Sequence, residues 1–357
     1  MTRRRFIAFA LAAMALSAVV TVAGLLAVDL YLHHRAERSA GLNRWGYRGP
    51  VVGAKAPGEL RVVMLGGSTV FGYGVMWDQA IPAQLERALA QRRPGLASAR
   101  VVNLGFNNEG AYAFQPTLED FAYLDYDVVC LYEGYNDMPG DEGPNTAVFR
   151  HRSAVFRLTG YFPLLPLVLD EKAMSLRYGG DLAAAYAAAR GERPGPNVFR
   201  PNLAQRTSAN ALDAAKALSE SLGRQLDRVS KAPPSALVKT SAIGCAFPWV
   251  NYCDSVHRAV DYALAHGQRV VVVSQPRLGG TLTEAHAKQQ AMLGAMVARV
   301  YGGDHRVVWA DLSGVVDVNN PGASFDGMHL NPQSNAVVAE ALVAPVLAAL
   351  GSAESSR

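Results

Sequence analysis

Charge is scarce in this 357-residue chain: Asp, Glu, Lys and Arg together make up 18%, against 50% hydrophobic residues. The net charge is only +4, and Arg3, Arg4 and Arg5 supply most of that excess. With no basic stripe interleaved with aromatics, nucleic acid is not an expected partner. So apolar a chain has the material for a sizeable core, which excludes general disorder. Only three cysteines are present, too few for a disulfide framework. Cys130, inside the apolar run Val128-Val129-Cys130-Leu131, reads as a buried, inert thiol. Cys245 and Cys253 bracket Ala-Phe-Pro-Trp-Val-Asn-Tyr and can close a small loop in an oxidising compartment. No Cys or His pair completes four zinc ligands at familiar spacing. A Gly-x-Gly-x-x-Gly turn and a Walker lysine are also missing, so a nucleotide cradle is unsupported. Repeats are absent, and the one biased tract is an Ala-rich patch at 182–189.

What is present begins at the N-terminus. Phe6 to Val28 contains no charged residue, and about 20 apolar residues suffice to cross the bilayer core. A core helix of that length would carry a polar stripe. A cleaved signal would have a shorter apolar region ending at small residues, so 6–28 reads as an uncleaved anchor behind a tail of residues 1–5. Thr2-Arg-Arg-Arg-Phe-Ile7 is similar to a twin-arginine export start. Together with the Cys245/Cys253 spacing it places the bulk of the chain outside the cytoplasm, as a single-pass protein of the inner membrane. Residues 29–57, polar and then punctuated by Gly49-Pro50 and Pro57-Gly58, read as a linker.

Beyond it, strands and helices alternate. Strands are expected at Arg61–Leu65, Arg100–Leu104, Asp127–Tyr132, Arg269–Ser274 and Arg306–Ala310. Helices are expected at Ile81–Arg92, Pro116–Leu124, Tyr252–His266, Leu282–Tyr301 and Asn335–Leu350. This rhythm predicts an α/β fold, a parallel sheet covered by helices on both faces, with a site outside the C-terminal strand ends. Between about 140 and 240 the rhythm breaks. Tyr161–Leu169 is apolar but interrupted by Pro163 and Pro166, so it cannot span a membrane. Leu212, Ala215, Leu222, Leu226 and Val229 form a stripe at helical spacing. The segment reads as an inserted helical cap packing on the core, with a lid or a bilayer-facing surface as the alternatives.

Four short blocks carry chemistry. Gly66-Gly67-Ser68-Thr69 follows the first strand, where glycines permit a sharp turn that exposes a hydroxyl; that hydroxyl needs a base to act as a nucleophile. Asp326-Gly-Met-His329 places a carboxylate three residues before a histidine. The carboxylate can hold Nδ1–H and leave Nε2 to accept a proton. Gly134-Tyr-Asn136-Asp137 follows the third strand, and the Asn136 amide can donate to a developing oxyanion. Asn103-Leu-Gly105-Phe-Asn-Asn108-Glu-Gly110-Ala-Tyr112 follows the second strand and can supply a backbone N–H. Each block alone is also an ordinary turn, but their order along the chain is specific.

The set resembles the SGNH (GDSL-type) hydrolases over roughly residues 58–145 and 245–350, and Asn43-Arg-Trp-Gly-Tyr-Arg-Gly49 and Met328-His-Leu330 look like those of bacterial, membrane-bound members. The resemblance implies a flavodoxin-like sheet within a 58–350 domain that carries the 140–240 insertion. It implies Ser68 as nucleophile, Asp326 and His329 as its partners, and Ser68, Gly110 and Asn136 as the oxyanion hole, with no metal or organic cofactor. Two departures stand out. Gly67 occupies the place of the family's usual Asp. The family's oxyanion glycine commonly falls five residues after the block's Asn, which here is Asn108; Gly110 is preferred, with Gly105 and Asn108 open. The implied reaction is acyl transfer to water or to a sugar hydroxyl. Three readings follow: an esterase removing small acyl groups from envelope carbohydrate, an O-acyltransferase using the same triad, and a catalytically idle glycan-binding protein. Gln275 and Arg277 follow a central strand and read as capping or surface residues, with substrate contact as the alternative; Trp249 and Trp309 read as core, and His33, His34, His151, His257 and His266 as packed or solvated.

Overall fold

The computed structural model describes residues 2–36, 41–92, 98–138, 148–179, 188, 202–210 and 243–351. They fall into two compact units, one from the stretches 1–38 and 150–232, the other from 39–149 and 233–357. The stripe expected between Leu212 and Val229 lies outside the described residues.

The first unit contains helix α1 (Arg3–Ala36), which is long and apolar enough to cross a membrane. Its two buried residues, Asp29 and His33, are the first polar groups past the apolar stretch. Two more helices of this unit are α5 (Ala154–Thr159), capped by the Ser153 hydroxyl, and α6 (Leu165–Tyr178), with Pro166 in its first turn where a missing N–H costs nothing. Asp29 Oδ1 accepts the Leu165 N–H at 2.5 Å, satisfying one of α6's unpaired donors, and His33 Nε2 bonds the Phe162 carbonyl at 3.0 Å. His33 is thus a partnered residue, which the sequence did not suggest.

The second unit is built on a five-stranded parallel sheet in the order β2-β1-β3-β4-β5. Its strands are β1 (Glu59–Gly66), β2 (Ser98–Asn103), β3 (Val128–Tyr132), β4 (Arg269–Val273) and β5 (Val307–Ala310). Each lies within two residues of its expectation at either end. β1, β3 and β4 are buried along almost their whole length, as continuous Val/Leu runs require when both faces are covered. One face packs Leu60, Val62, Met64, Val128, Cys130 and Val271 against α3 (Ile81–Arg92) and α9 (Pro332–Gly351). The other face carries α4 (Phe114–Asp120), α7 (Val250–Ala265) and α8 (Thr283–Tyr301). The helix α9 is apolar enough to pass as a membrane span, yet close to half of its most apolar stretch is buried in this core. Cys245 and Cys253 form a disulfide, and Cys130 is a buried free thiol whose pKa burial pushes up to about 12.

Linker-like composition misleads between 41 and 49. Helix α1 runs on to Ala36, and Asn43, Tyr47 and Arg48 are buried in the second unit. Asn43 Nδ2 donates to the Gly49 carbonyl at 2.9 Å and its Oδ1 accepts the Trp45 N–H at 2.9 Å. Arg48 donates to the carbonyls of Phe71, Gly72 (2.6 Å) and Val75 (2.6 Å). The polar side chains here serve the backbone, not the solvent.

Candidate active site

The parallel register brings the C-terminal strand ends to one edge, with Gly66 opposite Tyr132 and Tyr132 opposite Val273. Ser68 follows β1 and opens the one-turn helix α2 (Ser68–Phe71). A helix so short has no carbonyl ladder of its own to rely on. Asn103, at the end of β2, donates to the Val70 carbonyl at 2.9 Å, and Arg48 holds those of Phe71 and Gly72. The Ser68 turn is therefore fixed from two sides.

Asp326 and His329 arrive on the loop before α9. The His329 N–H donates to Asp326 Oδ1 at 2.8 Å, and Met328 N–H to the same oxygen at 3.1 Å. The ring's Nδ1 lies 2.7 Å from Asp326 Oδ2, and Nε2 lies 2.7 Å from Ser68 Oγ, 261 residues away in sequence. Partial burial pulls the Asp326 carboxyl up, but the backbone and ring hydrogen bonds of His329 outweigh it and hold the group below its usual pKa. An ionised Asp326 fixes the tautomer that leaves Nε2 facing Ser68. The Tyr73 ring, more than half exposed, packs 4.8 Å from the His329 ring.

Donors for an oxyanion gather beside Ser68. The backbone N–H groups of Ser68 and Gly110 have no acceptor among the described residues. The Gly105 N–H is taken by Asn103 Oδ1 at 3.0 Å. Asn108 sits in the left-handed region at φ 60°. Of the two glycines, Gly110 has the donor without an acceptor among the described residues. Asn136 Nδ2 donates to the Glu109 carbonyl at 2.9 Å and lies against Gly67.

Glu133 went unnoticed in the sequence. It is 2% exposed, and its carboxylate accepts the N–H groups of Gly67, Gly134 (2.9 Å) and Asn136 (3.0 Å). One side chain thus ties the Gly67–Ser68 turn to the Asn136 turn. It also explains Gly67: a Cβ there would fall 2.6 Å from Glu133 Oε2 and closer still to Asn136 Nδ2. Burial pushes Glu133 up to about 7 and, with Glu133's charge added, Asp137 well above its usual range.

Gln275 was also misread. Far from a surface cap, it is fully buried, with Nε2 donating to Thr69 Oγ1 at 3.2 Å and Oε1 accepting the Tyr135 N–H at 2.8 Å. Arg277 is exposed as expected, and Trp309 is only half-buried, not core.

No family model matches the sequence, and no curated protein matches it. Solved structures similar to the chain include a member of the lipolytic protein G-D-S-L family from Veillonella parvula, at 8% identity and a TM-score of 0.40, covering 80% of this chain and 97% of that one. An alpha/beta hydrolase from the metagenome of Lake Arreo is 13% identical with a TM-score of 0.42, covering 81% and 96%. A catalytic mutant of an acetylxylan esterase from Geobacillus stearothermophilus is 10% identical with a TM-score of 0.39, covering 83% and 95%. At such identities and scores the likenesses carry no inference about activity.

Proposed function

We propose that the chain is a membrane-tethered serine esterase of the SGNH type, removing small acyl groups such as acetyl from an extracytoplasmic carbohydrate. The observation that carries this reading is the relay of two 2.7 Å contacts from Asp326 through His329 to Ser68, ending beside the unoccupied N–H groups of Ser68 and Gly110. His329 takes the Ser68 proton as Oγ attacks the ester carbonyl. The oxyanion rests on the Ser68 and Gly110 N–H groups and on the Asn136 amide. The protonated His329 then gives its proton to the departing alkoxide. Water, deprotonated by the same ring, releases the acid from the acyl-enzyme.

Openness of the relay favours water as the acceptor over a dedicated transfer partner. The Asp326 side chain is 48% exposed, and Tyr73 and Phe325 beside the site are exposed too. Helix α1 supports a membrane anchor over residues 6–28, and the Cys245–Cys253 bridge supports an oxidising compartment. A catalytic unit on the periplasmic side is the reading these two features support.

The test is hydrolysis of p-nitrophenyl acetate by the full chain in detergent micelles, beside Asn136→Ala. Loss of one oxyanion donor is expected to lower kcat by about 10²- to 10³-fold with KM little changed. A variant as active as the parent would remove Asn136 from the mechanism, and a folded parent without turnover would count against the esterase reading.

A further inference from the structure

Gly110 carries an N–H without an acceptor among the described residues, yet it stands on a loop outside the sheet. After β2 the chain keeps to β1 as far as Phe106, whose N–H donates to the Gly66 carbonyl at 3.0 Å. Beyond Phe106 the backbone bonds are local: Glu109 N–H to the Phe106 carbonyl at 3.3 Å, and Ala113 N–H to the Gly110 carbonyl at 3.0 Å. A donor on such a loop stabilises a transition state only if its direction is set in advance.

The turn after β3 sets it from both sides. Asn136 and Asp137 are neighbours in the single helical turn Tyr135–Asp137. Asn136 Nδ2 donates to the Glu109 carbonyl at 2.9 Å, and that carbonyl shares a peptide plane with the Gly110 N–H. A planar trans peptide points its C=O and N–H in opposite directions, so holding the one aims the other. Asp137 Oδ2 accepts the Ala111 N–H at 2.8 Å, which belongs to the next peptide plane, and Ala113 N–H holds the carbonyl of that same plane. Both planes that meet at the Gly110 Cα are therefore tied. The identity of residue 110 follows from the same contact. Its backbone lies at φ −102° and ψ −172°, extended and open to any residue, so no turn demands a glycine there. Space does: a Cβ would fall 2.7 Å from Asp137 Oδ1 and 3.0 Å from Oδ2. The Asp137 carboxyl is seated directly on the Gly110 Cα.

We propose that Asp137 is a positioning residue of the oxyanion hole, its carboxyl holding the Gly110–Ala111 peptide so that the Gly110 N–H faces the developing oxyanion. The proposal rests on the esterase reading and divides the Asn136-Asp137 pair: Asn136 offers its amide to the reacting oxygen, and Asp137 acts only through Gly110. The contact needs one acceptor oxygen and the shape of the group, not a negative charge. Burial and the Glu133 charge already push this carboxyl well above its usual range. An asparagine at 137 keeps an acceptor for Ala111 and fills the same space; an alanine does neither.

Two measurements on the full chain in detergent micelles test this: p-nitrophenyl acetate kinetics, and amide hydrogen exchange over Gly110–Ala113 by mass spectrometry. Asp137→Ala lowers kcat by about 10- to 100-fold with KM little changed, as misplacing a reacting group does, and speeds exchange in that segment. Asp137→Asn recovers most of both. Gly110→Ala, which crowds the same carboxyl, also lowers kcat. The double variant Gly110→Ala/Asp137→Ala falls by much less than the product of the two single losses, because both changes act at one contact. An Asp137→Ala enzyme that keeps its kcat, a loss that Asp137→Asn does not recover, or independent losses in the double variant overturns the proposal. Exchange is read without substrate, so the two readings fail separately. A parent without turnover sinks the esterase reading, while unchanged exchange in Asp137→Ala sinks the positioning role.

Discussion

Replacing Ser68 by alanine is expected to lower kcat on p-nitrophenyl acetate by about 10⁴- to 10⁶-fold, the loss seen when a triad nucleophile is removed. The structure explains why the loss should be so large and so local. Among the described residues Ser68 Oγ bonds His329 Nε2 alone, while the turn that holds it is fixed by Asn103 and Arg48 through carbonyls of neighbouring residues. Deleting one oxygen leaves those supports in place, so Tm should be unchanged. His329→Ala should cost a similar factor, and the double variant little more, because the two act as one unit. Steady-state kinetics with a thermal melt of each variant checks both halves. Equal activity in Ser68→Ala would reassign the nucleophile.

The second large effect is expected at Glu133. The Glu133→Gln variant would keep the shape but present only one acceptor oxygen, where the carboxylate uses one for Gly67 and the other for Gly134 and Asn136. One of the two turns must then face an N–H instead of an acceptor. Misplacement of about 1 Å at reacting groups costs on the order of 10²-fold, so kcat should fall by about 10- to 100-fold with KM little changed.

Stability should move differently. Burial raises Glu133 to about 7 in the folded state from its ordinary 4.5. Its contribution is present in full below pH 4.5 and lost as pH rises through the raised folded-state value. Glu133→Gln removes that loss. Its stability should therefore fall less than the wild type's between about pH 5 and pH 8 in urea titrations, while its kcat stays low throughout. A variant that loses stability equally at both pH values and keeps its kcat would make Glu133 an ordinary core residue.

These two residues also mark what the sequence could and could not disclose. The convergence of Ser68, Asp326 and His329 was legible because each stands in a turn motif at a strand end or helix start, and the alternation of elements tells which ends meet. Most of the strands were legible because parallel strands buried on both faces are continuous apolar runs. Glu133, Gln275, Asn43 and Arg48 were not. Each is a polar residue buried against backbone or side-chain groups that the local pattern does not reveal: Glu133 meets Gly67 66 residues back, and Gln275 meets Thr69 206 residues back. Hydropathy pattern registers such residues as surface, because burial of a polar group depends on partners that only the fold supplies. The same reason turned residues 41–49 into an apparent linker. Helix α1 overran its expected end because Asp29 and His33, polar enough to suggest an exit from the helix, are paired within their own unit.

The most direct measurement of the central claim is covalent labelling of the full chain with an ethyl p-nitrophenyl phosphonate, followed by peptide mass spectrometry. A serine activated by Asp326 and His329 predicts one adduct per chain, on the peptide containing Ser68, and none in His329→Ala. Stoichiometric labelling of any other serine, or ester turnover by a chain that the phosphonate neither labels nor inhibits, would contradict it.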